Sequence, residues 1–448
     1  MSSPRVLVVG GGLAGLSAAV ACADAGSAVT LFESKAWLGG ATASFVREGL
    51  AIDTGQHVFL RCCTAYRGFL DRLGVSHLTR LQPKMDIPVV APGRRAARLR
   101  RTGLPAPLHL GAALARYPFL SAPEKAHLVR ASLALRRLDP ADRSLDQRSF
   151  GSWLRDTGQS ERAVRYLWDL FGLPTLNIPA EQASLALAAK VFRTGLLDRA
   201  DAADVGVAGV SLSDLHGRPA ERTLTSLGAR VLHGARVRGV RMHDGAAAGV
   251  VLDDGSHVAG DAVIVAVPWD RVDALLPPGT AGGFDRLGQS PIVNVHVVYD
   301  RPVTGLEFVA AVDSPVQWVF DRTSAAGLEH GQYLAISLSG ADDMVDRPVE
   351  WFRRTFVPAL EDLFPRARAA RVERFLVTRE RGATFRQVPG SAALRPGHRT
   401  LVRGLFLAGA WTDTGWPATM EGAVRSGQAA ARAALAAAPR PALAEVAP

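Results

Sequence analysis

The stretch Arg5-Val-Leu-Val-Val-Gly-Gly-Gly-Leu-Ala-Gly-Leu-Ser-Ala-Ala-Val20 predicts a strand, a tight turn and a helix in immediate succession. The apolar run at residues 6–9 is typical of a strand buried on both faces. Small residues then continue to about position 25 and predict a closely packed helix. Gly10, Gly12 and Gly15 match the spacing G-x-G-x-x-G, which in this context is typical of a turn that binds a dinucleotide.

Each glycine of this turn has a separate physical task. Gly10 permits the sharp turn, Gly12 lets a pyrophosphate approach the backbone, and Gly15 lets the helix pack closely on the strand. The helix start at Leu13 offers unpaired N–H groups and a positive dipole end to the phosphates. A second predicted strand, residues 28–33, ends at Glu33, 23 positions after Gly10. That spacing suits the carboxylate that holds a ribose hydroxyl.

The bulk composition is that of a globular protein larger than one core. The chain has 448 residues, of which 48% are hydrophobic and 21% are charged, so two domains are expected. A net charge of +10 favours phosphate-bearing ligands or lipid head groups. However, only four of the 52 basic residues are lysines, and this arginine excess also fits a bias in genome composition. No basic run is interleaved with aromatic residues, so no nucleic-acid partner is expected.

The cysteines predict a reducing compartment. Cys22, Cys62 and Cys63 contain no C-x-x-C spacing, and adjacent cysteines predict neither a disulfide nor a metal site. The first strand begins within five residues, so we expect no signal peptide. No stretch reaches the apolar length of a spanning helix. We therefore expect a cytoplasmic protein, either soluble or peripheral on the cytoplasmic membrane face.

Two polar or glycine-rich segments follow the second strand. Gly39-Gly40 permits another close backbone approach, to the middle of the same ligand. Further on, Asp53, Gly55, Gln56 and His57 interrupt an apolar strand pattern. A lone histidine is most often structural, whereas its glycine and amide neighbours favour a place beside the reactive part of a cofactor. Both interpretations remain open from the residues alone.

The middle of the chain changes character. Residues 65–203 predict helices rich in Leu, Ala and Arg, and residues 104–138 combine apolar and cationic side chains. That segment suits either a helix lying on a bilayer or an ordinary amphipathic helix facing a core. Residues 283–395 predict strands and one helix, and we expect them to complete a substrate-binding domain with residues 65–203.

The α/β pattern returns after residue 204. Val267 and Pro268 end a buried strand at the loop edge where ligands of open α/β sheets bind. Residues 404–427 predict a strand, a loop and a helix that begins near Thr419 and faces a ligand. We assign residues 1–64, 204–282 and 396–435 to a dinucleotide-binding domain, and residues 436–448 to a disordered tail.

Three blocks together resemble the amine oxidase/phytoene desaturase superfamily of FAD flavoproteins. They are the N-terminal turn with Glu33 and Gly39-Gly40, the strand end Ala266-Val-Pro268, and Leu407-Ala-Gly409 with Glu421-Gly-Ala-Val424. Three narrower blocks resemble the hydroxysqualene dehydroxylase family of hopanoid and triterpenoid synthesis. They are Ile52-Asp-Thr-Gly-Gln-His-Val58, Glu380-Arg-Gly-Ala-Thr-Phe385 and the segment from Trp411 to Gly427.

The resemblance implies an α/β protein, with a Rossmann-like FAD domain built from discontinuous segments and a second α+β domain. It implies non-covalent FAD, because no cysteine after Cys63 could form the C-terminal flavin bond of some amine oxidases. The helix near Thr419 would face the flavin ring. The implied cofactor residues are Gly10, Gly12, Leu13, Ala14, Gly15, Glu33, Ser34, Gly39, Gly40, Ala41, Gly55, Gln56, His57, Val237, Val267, Pro268, Gly409, Ala410, Trp411, Ala418, Thr419 and Met420.

Two departures from the family pattern concern FAD binding, and one absence concerns the reaction. The family commonly has Gly-Gly-Arg where this chain has Gly40-Ala41, and often Gly-Asp where it has Gly409-Ala410. No lysine follows Lys190, so the lysine that amine oxidases place beside the flavin in their C-terminal half is missing. This absence argues against amine oxidation.

The resemblance implies reductive dehydroxylation of a long apolar isoprenoid, hydroxysqualene, to squalene. The hydroxyl needs a proton to leave, and His57 and Asp413 are the candidate acids. Trp411 or Trp416 could face the resulting cation through its ring. The alternatives are a carotenoid desaturase or isomerase, a non-catalytic protein that binds flavin or prenyl lipid, and an amine oxidase. The electron donor and the oligomeric state are left open.

Overall fold

The computed structural model describes residues 3–280 and 282–437. In chain order, the strands are β1 (Arg5–Val9), β2 (Ala28–Glu33), β3 (Ser44–Arg47), β4 (Leu50–Asp53), β5 (Val58–Leu60), β6 (Thr79–Leu81), β7 (Asp86–Val90), β8 (Ala97–Arg100), β9 (Val205–Ala208), β10 (Arg230–His233), β11 (Val237–His243), β12 (Ala246–Leu252), β13 (His257–Ala259), β14 (Ala262–Val265), β15 (Ser290–Tyr299), β16 (Phe308–Ala311), β17 (Trp318–Asp321), β18 (Gln332–Ser339), β19 (Val372–Thr384) and β20 (Leu405–Leu407).

The α-helices are α1 (Leu13–Asp24), α2 (Thr64–Arg72), α3 (Gly111–Arg116), α4 (Ala122–Arg137), α5 (Phe150–Asp156), α6 (Glu161–Ala163), α7 (Asp169–Leu176), α8 (Leu185–Phe192), α9 (Leu212–Leu215), α10 (Gly217–Ser226), α11 (Trp269–Val272), α12 (Val349–Leu363) and α13 (Met420–Ala437). Two turns are π-helical, Val164–Trp168 and Arg193–Leu197. Turns of 3-10 helix lie at Gly40–Thr42, Ser76–Leu78, Leu108–Leu110, Arg143–Gln147, Asp273–Leu275, Phe284–Leu287, Pro365–Ala369 and Ser391–Leu394.

A five-stranded sheet in the order β10-β2-β1-β14-β20 carries the glycine turn, and all its strands are parallel. Helices α1 and α13 pack against each other, and the Ser17 hydroxyl donates to the Val424 carbonyl at 3.1 Å. A Cβ at Gly427 would lie 2.1 Å from the Ala14 carbonyl oxygen, so only glycine permits this contact. The sheet joins the two ends of the chain, and the predicted α/β, Rossmann-like class is confirmed.

The apolar residues between positions 231 and 242 predict one strand, but the structure divides this stretch in two. Strand β10 belongs to the parallel sheet, whereas β11 pairs with β12 in a separate three-stranded antiparallel sheet. Gly234 lies between them with φ at 65°, a conformation that ends the first strand. Apolar residues recur on both sides of this turn, at Val231 and Val237, so their pattern did not reveal the division.

The second large sheet has seven strands in the order β19-β15-β18-β17-β16-β7-β8. Residues 65–203 therefore contribute strands β7 and β8 to a sheet built mainly from residues 283–395. The expectation of helices alone in that segment was wrong, because β7 finds its parallel partner β16 more than 200 residues away. The sequence predicts a strand over residues 370–378. Strand β19 extends beyond it to Thr384 and so includes Glu380 of the family block.

The aromatic residues at 149–154 and 166–174 suit either the walls of an apolar cavity or an ordinary core, and the structure places the largest of them in a core. Phe150 packs against Trp153, Trp168 and Phe192 with ring centres 5.0–6.1 Å apart within this cluster. All four side chains are buried. Some of the partly exposed apolar side chains that pack around this core lie on the π-helical turns or close to them, namely Val164, Leu167, Phe171, Val191 and Leu196.

Residues 104–138, which suit either a bilayer-facing or a core-facing helix, are exposed at about half of their positions, but several of their large apolar side chains are buried. Tyr117, Phe119 and Leu120 lie in the core, so they cannot form a continuous apolar surface. Leu104 and Leu108 are the large apolar side chains of its first part that stay exposed. Among the described residues, no helix has the length and apolar character needed to cross a bilayer.

Helix α13 continues through Ala437, so positions 436 and 437 are helical and not part of a tail. The remainder of the expected disordered tail lies outside the described residues. The division into two domains at the boundaries given above stays a prediction.

Candidate functional site

The glycine turn combines two crowded positions with one open position. A Cβ at Gly10 would lie 2.5 Å from the Ala266 carbonyl oxygen, and one at Gly15 only 1.8 Å from the Gly10 carbonyl oxygen. At Gly12, by contrast, the nearest atom of the described residues is the Gly40 Cα at 4.0 Å. The turn is therefore closely packed on the strand side and leaves space where a pyrophosphate would approach.

Glu33 is buried at the end of β2, with its carboxylate held by backbone groups. The Gly11 N–H donates to one oxygen at 2.8 Å, and the Lys35 N–H donates to the other at 2.8 Å. The Ser34 hydroxyl also donates to Glu33, at 3.2 Å. A carboxylate so oriented beside Gly11 keeps lone pairs for a ribose hydroxyl.

The second glycine loop lies directly against the first. The Gly39 N–H donates to the Gly11 carbonyl at 2.8 Å, and a Cβ at Gly40 would lie 3.0 Å from the Gly12 Cα. The Ala41 carbonyl accepts the Thr54 hydroxyl at 2.7 Å, which joins this loop to the segment that begins at Gly55. The fold thus brings together the three segments at residues 10–15, 39–41 and 54–57.

The C-terminal block, residues 404–427, lies against the loop that follows β14. Trp411 donates its indole N–H to the Val267 carbonyl at 3.0 Å, and its ring packs 5.1 Å from Phe284. The indole also lies where a Cβ of Gly409 would be. Trp411 is therefore buried with its indole nitrogen already paired, and its expected place facing a substrate cation stays a prediction. Pro268 caps α11 just after Val267, Ala410 follows Gly409, and Val237 is buried at the start of β11.

Arg395 lies outside the loop at residues 410–416 and holds that loop in place. Its guanidinium donates to the carbonyls of Trp411 and Thr412 at 3.3 and 2.5 Å. It also donates to the carbonyls of Ala410 and Trp416 at 3.4 and 2.8 Å. Burial lowers the pKa of Arg395 to about 10, and the carboxylates of Asp413 and Asp146 oppose this. Nothing in the local sequence pattern indicated this residue.

Gln387 holds the next part of the loop. Its side-chain oxygen accepts the Ala418 N–H at 3.0 Å, while its amide donates to the Leu176 carbonyl at 2.7 Å. The Thr419 hydroxyl accepts the Gly422 N–H at 3.2 Å and caps α13, which begins at Met420. The helix start predicted to face the flavin is therefore fixed by side chains on both sides.

Asp413 and Trp416 have local roles in this loop. Asp413 is exposed, and its carboxylate accepts the Gly415 N–H at 3.2 Å, as a loop cap does. Trp416 is approached by the Lys190 Nζ at 4.9 Å and by the Arg425 guanidinium at 5.0 Å from its ring centre. Burial lowers the pKa of Lys190, and the positive charge of Arg425 lowers it further.

His57 is partly buried, and its Nδ1 lies 3.1 Å from the Gly55 carbonyl. That contact requires a proton on Nδ1 and leaves Nε2 for a second partner. Burial lowers the pKa of His57 below its usual 6.5, and the Arg322 charge adds to this. The Gly55 carbonyl and the Asp53 carboxylate oppose the shift.

An ion pair near His57 joins the end of β4, in the two-stranded β3-β4 sheet, to the residue that follows β17 of the seven-stranded sheet. Asp53 and Arg322 are both buried and lie 2.8 Å apart. Arg322 also donates to the Ala208 and Val210 carbonyls, and Asp53 accepts the Leu212 N–H at 3.0 Å. The pair orients the start of the Gly55–His57 segment. The sequence indicated Asp53 as polar but not its partner 269 positions away.

Two amide side chains near Gly55 have unused hydrogen-bonding capacity. Asn294 is fully buried, and neither its oxygen nor its nitrogen has a hydrogen-bond partner among the described residues. The Gln56 nitrogen is likewise buried and unpaired. A Cβ at Gly55 would lie 3.9 Å from the Asn294 nitrogen and 3.2 Å from the His57 ring. Buried unpaired polar groups are costly, so this arrangement fits a bound polar group such as a flavin edge.

The comparisons with known proteins agree with this geometry. Residues 13–435 match the family model described as flavin containing amine oxidoreductase. The chain is 31% identical to a hydroxysqualene dehydroxylase of Rhodopseudomonas palustris, over 97% of this chain and 99% of that protein. It is 26% identical to a 15-cis-phytoene desaturase of Glycine max, over 96% of this chain and 80% of that protein.

Among solved structures, a putrescine oxidase double mutant from a redesign of cofactor binding superposes with a TM-score of 0.73 at 22% identity. It covers 97% of this chain and 99% of its own. The family match and the glycine cradle together identify FAD as the cofactor. The individual roles of the cofactor residues stay predictions. The chain is an FAD-dependent oxidoreductase and belongs to the flavin containing amine oxidoreductase family.

Proposed function

We propose that this protein removes the allylic hydroxyl of hydroxysqualene reductively and releases squalene, for hopanoid or triterpenoid synthesis. The observation that carries the proposal is the match to a hydroxysqualene dehydroxylase along nearly the whole length of both proteins. The phytoene desaturase match leaves about a fifth of that longer protein unmatched. In this reaction the C–O bond breaks, the oxygen leaves as water after taking a proton, and the carbon accepts a hydride.

Bound FAD in its reduced form supplies the hydride, and the protein supplies the proton and the dry surroundings. We assign the proton to His57, whose Nδ1 contact with Gly55 directs Nε2 away as the free donor once the ring is charged. The lowered pKa makes that imidazolium a stronger acid. Asp413 is a weaker candidate, because its side chain is exposed to water, which would compete for a carbocation.

An apolar substrate suits the partly exposed side chains around the helical core. Val164, Leu167 and Phe171 lie on or just after one π-helical turn, and Leu196 lies on the other. Such turns often occur at functional sites because they interrupt regular helix packing. A long isoprenoid chain laid across these side chains would be shielded from water.

The test uses the purified flavoprotein, reduced by dithionite under anaerobic conditions and mixed with hydroxysqualene. We expect the flavin absorbance to return as squalene appears in equal amount. Squalene formation without flavin oxidation, or flavin oxidation without squalene, would overturn the proposal.

A carotenoid-type desaturase is the second candidate, because phytoene desaturases match 96% of this chain. That activity runs in the oxidative direction, so the oxidised flavoprotein would bleach with phytoene and yield a more unsaturated product. Bleaching by phytoene in the absence of a response to hydroxysqualene would favour this candidate.

A further inference from the structure

A strongly cationic cavity lies outside the cofactor region, at the outer edge of the seven-stranded sheet. It has a volume of about 760 Å³ and lies between edge strand β8, the chain just before β7, and helix α3. No acidic side chain lines it among the described residues. Its six basic lining side chains are Lys84, Arg95, Arg98, Arg100, Arg101 and Arg116.

Nearby carboxylates neutralise only part of this charge. Asp86 lies 2.8 Å from Arg98 and 3.8 Å from Arg100, so one carboxylate serves two guanidinium groups. Asp204 pairs with Arg101 at 2.6 Å and also with Arg61. No carboxylate of the described residues lies within 4.0 Å of Lys84, Arg95 or Arg116. The cavity therefore keeps an excess of at least three positive charges.

Charges on an edge strand have an ordinary explanation, but it covers only two of the six residues. Ala97 and Leu99 of β8 face the core, while Arg98 and Arg100 face outward and prevent pairing with another sheet. The three unpaired cations come from outside that strand, before β7, in the β7–β8 connection and at the end of α3. Their convergence on one cavity points to an anionic ligand.

Two exposed leucines lie in the chain segment between residues that line the cavity. Leu104 is 54% exposed and Leu108 is 62% exposed. Both lie in the connection from β8 to α3, between the lining residues Thr102 and Ala112. Exposed apolar side chains in this segment would not strengthen the binding of a soluble phosphate ester. A bilayer, by contrast, presents phosphates and acyl chains side by side.

We infer that the cavity binds the phosphate head groups of anionic phospholipids, with Leu104 and Leu108 in the interfacial layer of the bilayer. The contact would hold the protein on a membrane surface independently of its turnover. This inference does not depend on the identity of the substrate, so it stands or falls separately from the proposed function.

The experiment is co-sedimentation of the flavin-loaded protein with vesicles. One set contains phosphatidylcholine alone, and the other contains about one-third phosphatidylglycerol. We expect binding to the anionic set only, with loss of binding between ~0.1 M and ~0.5 M salt as the charges are screened. Equal binding to both sets, or to neither, would overturn the inference.

The decisive variant is the triple substitution Lys84→Ala, Arg95→Ala and Arg116→Ala. Each surface cation contributes about fivefold to binding of an anionic bilayer, so we expect about a hundredfold weaker binding. The charge-matched control replaces Arg222, Arg241 and Arg366 by Ala, because these exposed side chains do not line the cavity. Equal losses in the two variants would mean that net charge alone drives binding and would overturn the assigned site.

Two further measurements separate the source of the phosphate and the role of the leucines. Leu104→Ser with Leu108→Ser should weaken vesicle binding about tenfold and leave the salt dependence unchanged. Millimolar inorganic phosphate should compete only weakly with vesicles. Tight binding of free phosphate by a protein that ignores anionic vesicles would show a soluble ligand instead. Flavin content and melting temperature verify that each variant is folded.

Discussion

The glycine turn at residues 10–15 and the loop at residues 410–418 are both assigned to FAD, but they are held in opposite ways. The turn is packed by its own segment and the adjoining strand end, since Gly15 meets Gly10 and Gly10 meets Ala266. The loop is held by side chains outside it, Arg395 and Gln387. The difference teaches that one half of a cofactor site can be shaped by close backbone packing of glycines, while the other half is held by hydrogen bonds from side chains outside the loop.

The largest expected effect is at the turn itself. Gly15→Ala places a methyl group 1.8 Å from the Gly10 carbonyl oxygen, and backbone at that position cannot move without displacing β1. We expect loss of bound FAD and a decrease of about 3 kcal/mol or more in the free energy of unfolding, measured by urea titration.

The matched control for this change is Gly68→Ala, in helix α2, where a Cβ meets no atom within 4 Å. It should raise stability by about 0.5–1 kcal/mol, because alanine favours helix. If Gly15→Ala retained FAD and stability, the account of a turn shaped by close backbone packing would be wrong.

The next effect tests the loop. Arg395→Met removes the donor to four carbonyl groups, and buried acceptors left unpaired cost about 1–3 kcal/mol each. We expect about 3 kcal/mol of lost stability and weaker FAD binding, measured by unfolding and by flavin titration. Arg399→Met, at an exposed neighbour, should change neither. Unchanged FAD affinity in Arg395→Met would contradict control of the loop by a side chain outside it.

A third test concerns His57, which lies in the segment that the fold brings to the turn. His57→Gln should lower kcat with hydroxysqualene about a hundredfold, because the proton donor is lost. Because its pKa is lowered below 6.5, the charged form increases only as pH falls below that value. The wild-type kcat/KM should therefore rise toward acidic pH, and the variant should lack this rise.

The companion variant Asp413→Asn should keep the same pH profile and stay within about twofold of the wild-type rate, since Asp413 caps the loop from an exposed position. A larger loss in Asp413→Asn than in His57→Gln would transfer the acid role to Asp413.

The smallest expected effect is at Asn294. Asn294→Leu removes two unpaired buried atoms, so the free energy of unfolding without FAD should be unchanged or rise by about 1 kcal/mol. Affinity for FAD or for substrate should fall about tenfold if the amide pairs with a bound group. Titrations with flavin and with substrate show which of these two ligands the amide contacts. Unchanged affinity for both would mean that Asn294 contacts neither.

The expectations that failed share a physical cause. Strands β7 and β8 were missed because an apolar run that pairs with a strand far along the chain carries no local mark of its partner. Aromatic side chains at Phe150 and Trp168 suited both a cavity and a core, and packing made them core.

By itself, the sequence determined the parallel α/β sheet, the FAD turn with its acidic partner Glu33, and the family, because glycine spacing and strand-helix alternation are requirements of the local backbone. Only the tertiary structure decided that Arg322 would neutralise Asp53, that Arg395 would hold the C-terminal loop, and that Asn294 would lie unpaired beside Gly55. The physical reason is that the role of a buried charge or amide depends on partners that lie tens to hundreds of residues away in the sequence. No periodicity in the chain records which partners burial will bring together.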